Sequence, residues 1–245
     1  MRFKNKHVAI TGGTGEIGLH VAQEFAREGA SVTLLDLTLP EALEPQVRAM
    51  GARFQRMDVT DPQSVTGALS EIPEVDIAVA NAGMHRGARA LDLTYENWKL
   101  MLDVNVTGVF LFSQAVARQM VERGQGGVIL VTGSWVQDVP HVDNTGYCTS
   151  KAGAAMLARC LALEFGEHGI RVNIVAPGIV NAGMARRQLL IDPVFAKTAT
   201  KGIPLGRLQS AQNVADAALF LCSNEADSIT GTTLLVDGGL QLFQR

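Results

Sequence analysis

A phenol and an ammonium four residues apart are the first feature of this chain that could do chemistry. They stand as Tyr147-x-x-x-Lys151 at the end of the stretch from Ser134 to Lys151. An apolar-periodic run from Asn144 to Phe165 predicts a helix, and on a helix positions four apart share a face, so both side chains can point into one cleft. A phenol titrates near 10 in water, too high for a general base at neutral pH, and a fixed positive charge close by favours the phenolate. Ser134 follows an expected strand, Gly127 to Thr132, where its hydroxyl can hydrogen-bond a substrate oxygen. Alone, the pair is weak, because a half-buried Tyr beside a solvated Lys is a common arrangement. Cys148 adjoins Tyr147, but adjacent helix positions point in different directions, which argues against a nucleophilic role.

The elements that must hold this pair follow from the rest of the chain. His7 to Thr11 reads as a short strand that ends in Gly12-Gly-Thr-Gly15 and is followed by a helical pattern, Ile17 to Glu28. Strand, glycine-rich turn and helix let backbone approach a pyrophosphate, and the helix N-terminus offers free N–H groups. A second strand, Ser31 to Asp36, ends in an acid about twenty residues beyond the glycines, where a carboxylate can accept both ribose hydroxyls of an adenosine. Asp36 therefore favours NAD: a 2′-phosphate would be repelled, and no Arg or Lys stands at Gly13, Thr14 or Leu37 to offset it. Further strands are expected at Arg53 to Met57, closing at Asp58-Val59, and at Asp76 to Ala80, opening into Asn81-Ala82-Gly83. Asp58 could accept from the adenine amino group, and Asp61 with Pro62 reads as a helix start. Thr94 through Arg123 reads as one long helical region with a polar residue, Asn105, on its apolar face. A buried Asn must find partners, and the pattern leaves a core role and a site role equally open. Arg171 to Ala176 is a sixth strand stopped by Pro177-Gly178, and Thr233 to Asp237 a seventh, after a helix from Gln212 to Leu221. Residues 179–204 are less regular and long enough for a mobile substrate loop covering the site.

Alternating strands and helices of this kind imply a parallel sheet with both faces covered. With 245 residues, 47% of them hydrophobic, and no linker or repeat, the chain is expected to form a single domain, 1–245. A formal charge of -3 with scattered basic residues argues against nucleic acid. The sequence shows no signal-like start and no apolar run of membrane-spanning length. Cys148, Cys160 and Cys222 have neither paired nor metal-type spacing, so no metal site is expected and a cytoplasmic protein is.

Taken in order, Thr11-Gly12 through Gly18, Asp36, Asp58-Val59, Asn81-Ala82-Gly83, Asn105, Ser134, Tyr147-x-x-x-Lys151, Pro177-Gly178 and Val236-Asp-Gly-Gly239 span nearly the whole chain. In these motifs the chain resembles the classical short-chain dehydrogenase/reductase family. The resemblance implies a Rossmann-type, doubly wound α/β sheet of about seven strands and a homotetramer. It also implies that Tyr147 is the acid/base, that Lys151 lowers its pKa and holds the nicotinamide ribose, that Ser134 orients the reacting oxygen, and that Asn105 holds a water in a proton relay. Gly12, Thr14, Glu16, Ile17, Asp36, Asp58, Val59, Asn81, Ala82, Gly83, Pro177, Gly178, Val180 and Asn181 would line the NAD site with Tyr147 and Lys151.

Three departures stand out. Glu16 occupies a place usually held by Gly, where a carboxylate would oppose a pyrophosphate unless it points away or caps the helix. Asn181 replaces a usual Thr that binds the nicotinamide amide, and Ala80 a usual Asn. Trp135, Gln137, His141, Asp143, Asn144 and Met184 are candidate substrate liners, with Arg186 and Arg187 read as a solvated pair on the lid. This polar set suits a sugar, a polyol or another small polar alcohol, and Ile203-Pro-Leu-Gly-Arg207 resembles a segment of sugar and polyol dehydrogenases. The same segment occurs in 3-oxoacyl carrier-protein reductases, which remain the alternative. A non-catalytic NAD-sensing protein would show a broken tetrad, and a nucleotide-sugar epimerase would need a C-terminal domain for which there is no room.

Overall fold

The computed structural model describes residues 1–242. Each of the seven runs expected to be extended becomes a strand: β1 (His7–Thr11), β2 (Ser31–Asp36), β3 (Arg53–Arg56), β4 (Ile77–Ala80), β5 (Gly127–Thr132), β6 (Ile170–Pro177) and β7 (Thr233–Val236). They form one sheet in the order β3-β2-β1-β4-β5-β6-β7, every neighbouring pair parallel. The chain moves outward in opposite directions from β1 and from β4. That reversal opens a crevice at the carboxyl ends of the strands, where sheets of this kind bind ligands.

Parallel pairing requires crossovers, and here the longer ones are helices α1 (Glu16–Arg27), α2 (Glu44–Ala49), α3 (Pro62–Ser70), α4 (Tyr95–Leu102), α5 (Gly108–Arg123), α6 (Thr145–Phe165), α7 (Gly183–Ile191), α8 (Pro193–Thr198) and α9 (Ala211–Cys222). The strand period of two divides the core into two layers. Val8 and Ile10 of β1 pack with Leu19 and Phe25 of α1 and Leu219 of α9, whereas Ala9 faces Phe112 and Val116 of α5 and Leu161 of α6. The chain thus forms the doubly wound α/β sheet that its alternation implied. Asp61 starts α3 as expected, accepting a hydrogen bond from the Gln63 N–H.

Two segments differ from the sequence reading. The helical region before Arg123 is interrupted by a π turn, Asp103–Thr107, with Asn105 in it. From Tyr95 to Arg123 it has the length and hydropathy to cross a membrane, which the reading of apolar runs had missed. Its residues Met101, Asn105, Phe112, Val116 and Met120 are nonetheless packed in the core, as in a central helix of a globular fold. Val109, Phe112 and Val116, whose apolar side chains could have served a subunit interface, are buried within this chain. The second difference is the segment 179–204, which contains α7 and α8 where an irregular loop was expected. Neither helix buries a residue, so neither leaves an apolar period in the sequence; Asp192 caps α8 by accepting from Val194 and Phe195 N–H.

Candidate active site

Four elements converge on Tyr147. It lies in the first turns of α6, one helical turn before Lys151, whose ammonium is buried and donates to the Thr132 carbonyl at the end of β5 over 2.8 Å. The Lys151 Nζ sits 5.8 Å from the centre of the Tyr147 ring. β5 also delivers Ser134, which is buried and extended, and whose hydroxyl favours the ionised form of the Tyr147 phenol. Behind them the Asn105 amide joins three segments: Oδ1 accepts from Met84 N–H at 2.8 Å, and Nδ2 donates to the Met84 carbonyl and to Ser150 Oγ, each at 2.9 Å. Ser150 Oγ in turn donates to the Tyr147 carbonyl.

The electrostatics of this cluster correct one expectation. Burial pushes the Tyr147 phenol above its ordinary value, and only the Ser134 hydroxyl pulls it back. Burial also weakens the Lys151 ammonium, bringing its pKa down to about 8, so that it still carries most of its charge at neutral pH. Burial raises the Cys148 thiol too, which removes it as a nucleophile at neutral pH.

The glycine-rich turn lies at the carboxyl end of β1. A Cβ on Gly18 would sit 2.3 Å from the Gly12 carbonyl oxygen, and one on Gly12, at φ +61°, 2.8 Å from Ala82 Cα, so the turn is closed as tightly as backbone allows. Asn81 staples it: Nδ2 donates to the carbonyls of Thr11 and Gly12, and Oδ1 accepts from Thr132 Oγ1. Asn81 and Ala82 N–H both donate to Thr11 Oγ1. Asp36 stands at the end of β2 with Oδ2 accepting from Thr14 N–H and Oγ1, and Oδ1 from Leu37 N–H. Asp58 Oδ1 accepts from Thr60, and Val59 packs on Gly108. Ile17 is half-buried at the start of α1. Beyond β6, Pro177 and Gly178 lead to Val180, which is buried and bridged to Gln209, and to the exposed Asn181. Gly83 completes the cluster, its α-carbon side facing Asn105 Oδ1 and Lys151 Nζ. Glycine backbone, a helix N-terminus and a ribose-side acid in this order fit a dinucleotide.

A family model described as enoyl-(acyl carrier protein) reductase matches residues 13–241. The chain is 34% identical over 246 residues to a 2,5-dichloro-2,5-cyclohexadiene-1,4-diol dehydrogenase of Sphingobium indicum, covering 97% of each. It is 36% identical to the 3-oxoacyl-[acyl-carrier-protein] reductase of Escherichia coli, covering 99% of this chain and 100% of that one. The chain belongs to the short-chain dehydrogenase/reductase family. A solved gluconate 5-dehydrogenase of Burkholderia cenocepacia, in complex with NADP and tartrate, superposes with a TM-score of 0.92 at 31% identity over 98% of each chain. As a member of this family the protein is an oxidoreductase that acts on hydroxyl groups with a nicotinamide cofactor.

Within the short-chain dehydrogenase/reductase frame, Asn105, Ser134, Tyr147 and Lys151 are gathered at one end of the sheet. Two of the expected site residues have their side-chain amides engaged within the protein. The Asn81 side chain is spent on the glycine-rich turn. Gln137, expected as a substrate liner, is buried; its Oε1 accepts from Ser134 N–H and its Nε2 donates to Thr233, because the short 3-10 turn Trp135–Gln137 rotates it inward.

Of the other liners, Trp135, His141 and Asn144 come together. Trp135 stacks edge-to-face on His141, with ring centres 5.6 Å apart. Asn144 Nδ2 donates to the Val142 carbonyl, which turns Oδ1 toward His85 Nε2 and so places a proton on that nitrogen. Asp143 holds a left-handed φ of 64° and pairs with Arg89. Met184 lies exposed on α7. His85 was missed by sequence reasoning, although its ring stacks edge-to-face on Tyr147 at 5.0 Å. Its only sequence signal is its place two residues after Asn81-Ala82-Gly83. Gln209, which backs the turn after Pro177, left none.

Proposed function

We propose that this protein is an NAD-dependent dehydrogenase that interconverts a secondary alcohol and a ketone, or a lactol and a lactone. Its substrate is a sugar, a polyol or another small polar alcohol. The observation that carries the reading is the Tyr147 phenol, with Ser134 acting on its ionisation and a linked polar set, His85, Asn144, His141 and Trp135, running out from its ring. A bound oxidised nicotinamide would supply the hydride acceptor and a positive charge. Tyr147 takes the proton of the substrate hydroxyl, and Ser134 donates a hydrogen bond to the same oxygen. Lys151 holds the nicotinamide ribose. Asn105 keeps the Tyr147 helix in register with the Met84 turn, and a water for proton return would rest on the backbone loosened by its π turn. Reduction follows the same path in reverse.

Asp36 supports NAD over NADP. Thr14 and Leu37 already hold its carboxylate, and among the described residues no Lys or Arg bonds to it. The outward lone pairs suit two ribose hydroxyls and repel a phosphate. Asp36→Ser should lower kcat/KM for NAD⁺ by roughly tenfold to a hundredfold, the worth of hydrogen bonds to a charged group, and raise the NADP⁺ to NAD⁺ ratio. An unchanged ratio would reject this role.

The test of the whole reading is absorbance at the reduced-nicotinamide band with NAD⁺ or NADP⁺ and a panel of sugars, polyols, hydroxy acids and secondary alcohols. The second reading, a 3-oxoacyl carrier-protein reductase-like enzyme, is favoured by the Escherichia coli relative. Turnover confined to 3-oxoacyl thioesters with NADPH would establish it instead. Silence with every substrate despite tight NAD binding would favour the NAD-sensing reading.

The family resemblance further supports a homotetramer, and Phe110 of α5 with Met156 and Leu163 of α6 supply exposed apolar surface for it. A mass near four times the chain mass of 26.1 kDa is expected in solution, and a monomer at micromolar concentration would exclude it. Three free thiols, Cys148, Cys160 and Cys222, support a reducing, cytoplasmic setting.

A further inference from the structure

The acid in the glycine-rich turn has a partner far along the chain. Glu16 is the first residue of α1, and its carboxylate reaches across to the start of α7. Oε2 accepts from the Gly183 N–H, and Oε1 lies 3.0 Å from Nη1 of Arg186. Arg186 then turns back to the loop after β6: Nη2 donates to the Asn181 carbonyl at 2.7 Å, and Nε approaches Asn181 Oδ1 at 3.5 Å. Glu16 and Asn181, two places where the sequence departs from the family pattern, are thus joined through one guanidinium. The connection runs from the pyrophosphate end of the dinucleotide slot to its nicotinamide end.

The bonding also explains how a carboxylate is tolerated there. Alone, it would repel a diphosphate; paired with Arg186, it brings no net charge. α7 has no side-chain cap of its own, so its first N–H would lack a partner without Glu16. Neither α7 nor α8 buries a residue, while Ala199 and Ile203 just beyond them are buried. The segment is therefore rooted at its far end and held at its near end by polar bonds.

We propose that Glu16 and Arg186 form a clasp that closes α7 over the dinucleotide slot, slows the departure of the cofactor, and positions Asn181 for the nicotinamide. Glu16 is a positioning residue in this arrangement. The inference rests on dinucleotide binding in the slot and is independent of which alcohol is the substrate.

Two measurements test it. In the ligand-free protein, amide hydrogen exchange over Gly183–Ile191 should speed up in Glu16→Gln and in Arg186→Gln. With cofactor, stopped-flow fluorescence of bound NADH or NADPH, whichever binds, should show release faster by roughly threefold to tenfold in each variant, the range for a half-exposed ion pair strengthened by a backbone bond. The double variant should release no faster than either single one, because both break the same contact. Exchanging the charges, Glu16→Arg with Arg186→Glu, should restore part of the slow release. Unchanged exchange in Glu16→Gln, or single effects that add fully in the double variant, would overturn the clasp. Failure of wild-type protein to bind either reduced dinucleotide would overturn the cofactor reading and the release role together. Slow release that survives both single variants would overturn the release role alone.

Discussion

Tyr147→Phe is expected to lower alcohol oxidation by about 10³-fold, within the range for losing a positioned acid/base, while leaving binding of reduced dinucleotide within a few-fold of wild type. The split follows from the geometry: the variant removes one oxygen, keeps the ring that stacks on His85, and leaves Lys151 on the Thr132 carbonyl. The titration of the phenol can be read directly, because the chain has only two tyrosines. Tyr95 is 70% exposed, whereas burial holds the Tyr147 phenol above its ordinary value. An ultraviolet titration of the ligand-free protein should therefore show a high-pH phenol component that is absent from Tyr147→Phe.

The sign of the pH effect on turnover follows. Oxidation needs the phenolate, so kcat/KM for the alcohol should rise with pH. In the oxidised-cofactor complex that limb should lie well below the phenol titration of the free protein, because a bound oxidised nicotinamide would add a second positive charge to that of Lys151. Lys151, at about 8 in the free protein, is already losing its proton where the phenol has barely begun to. Equal limbs in the free protein and the complex would show that the chain alone tunes Tyr147. Residual turnover of Tyr147→Phe that kept the wild-type limb would remove Tyr147 from the chemistry.

That dependence on a bound charge marks a limit of reading the site from sequence. Spacing placed Tyr147 and Lys151 on one face, since a helix permits little else. It could not show that Lys151 is buried and Tyr147 half-buried, and burial moves a phenol up and an ammonium down, against the effect each was expected to have on the other. Asp36 was legible because a strand end in a parallel sheet projects its last residue into the crevice, and the β2 boundaries followed directly from its apolar run. Gln137 was misplaced because three residues of 3-10 turn after Ser134 are enough to rotate a side chain from cleft to core, and no periodicity records so short a turn. α7 and α8 left no pattern for the opposite reason, having no buried face. The Glu16–Arg186 pair was invisible because it depends on two loops meeting in space; the sequence showed a misplaced acid and a solvated arginine, each without its partner.

Asn105 is the residue for which sequence left two roles open, and Asn105→Ala should show that they are one. The substitution would strip partners from the Met84 N–H and carbonyl and remove the donor to Ser150 Oγ, all in a buried setting. At about 1–3 kcal/mol for each buried group left unpaired, and with partial relief from entering water, the loss should total about 2–4 kcal/mol. For a chain of this length that corresponds to a fall in Tm of roughly 5–15 °C by differential scanning calorimetry. Turnover should fall as well, by about 10- to 100-fold at a temperature where the variant remains folded, because Met84 adjoins Gly83 in the slot and Ser150 holds the Tyr147 carbonyl. Asn105→Asp separates hydrogen-bond geometry from shape: it preserves the acceptor for Met84 N–H but sets a carboxylate oxygen against the Met84 carbonyl, so it should be destabilised comparably despite its similar size. A lowered Tm with full turnover would make Asn105 a core residue only. Lost turnover with an unchanged Tm would mean that its amide acts on the reaction and not on the register of the π turn, and the account of Asn105 as the joint between Met84 and the Tyr147 helix would fail.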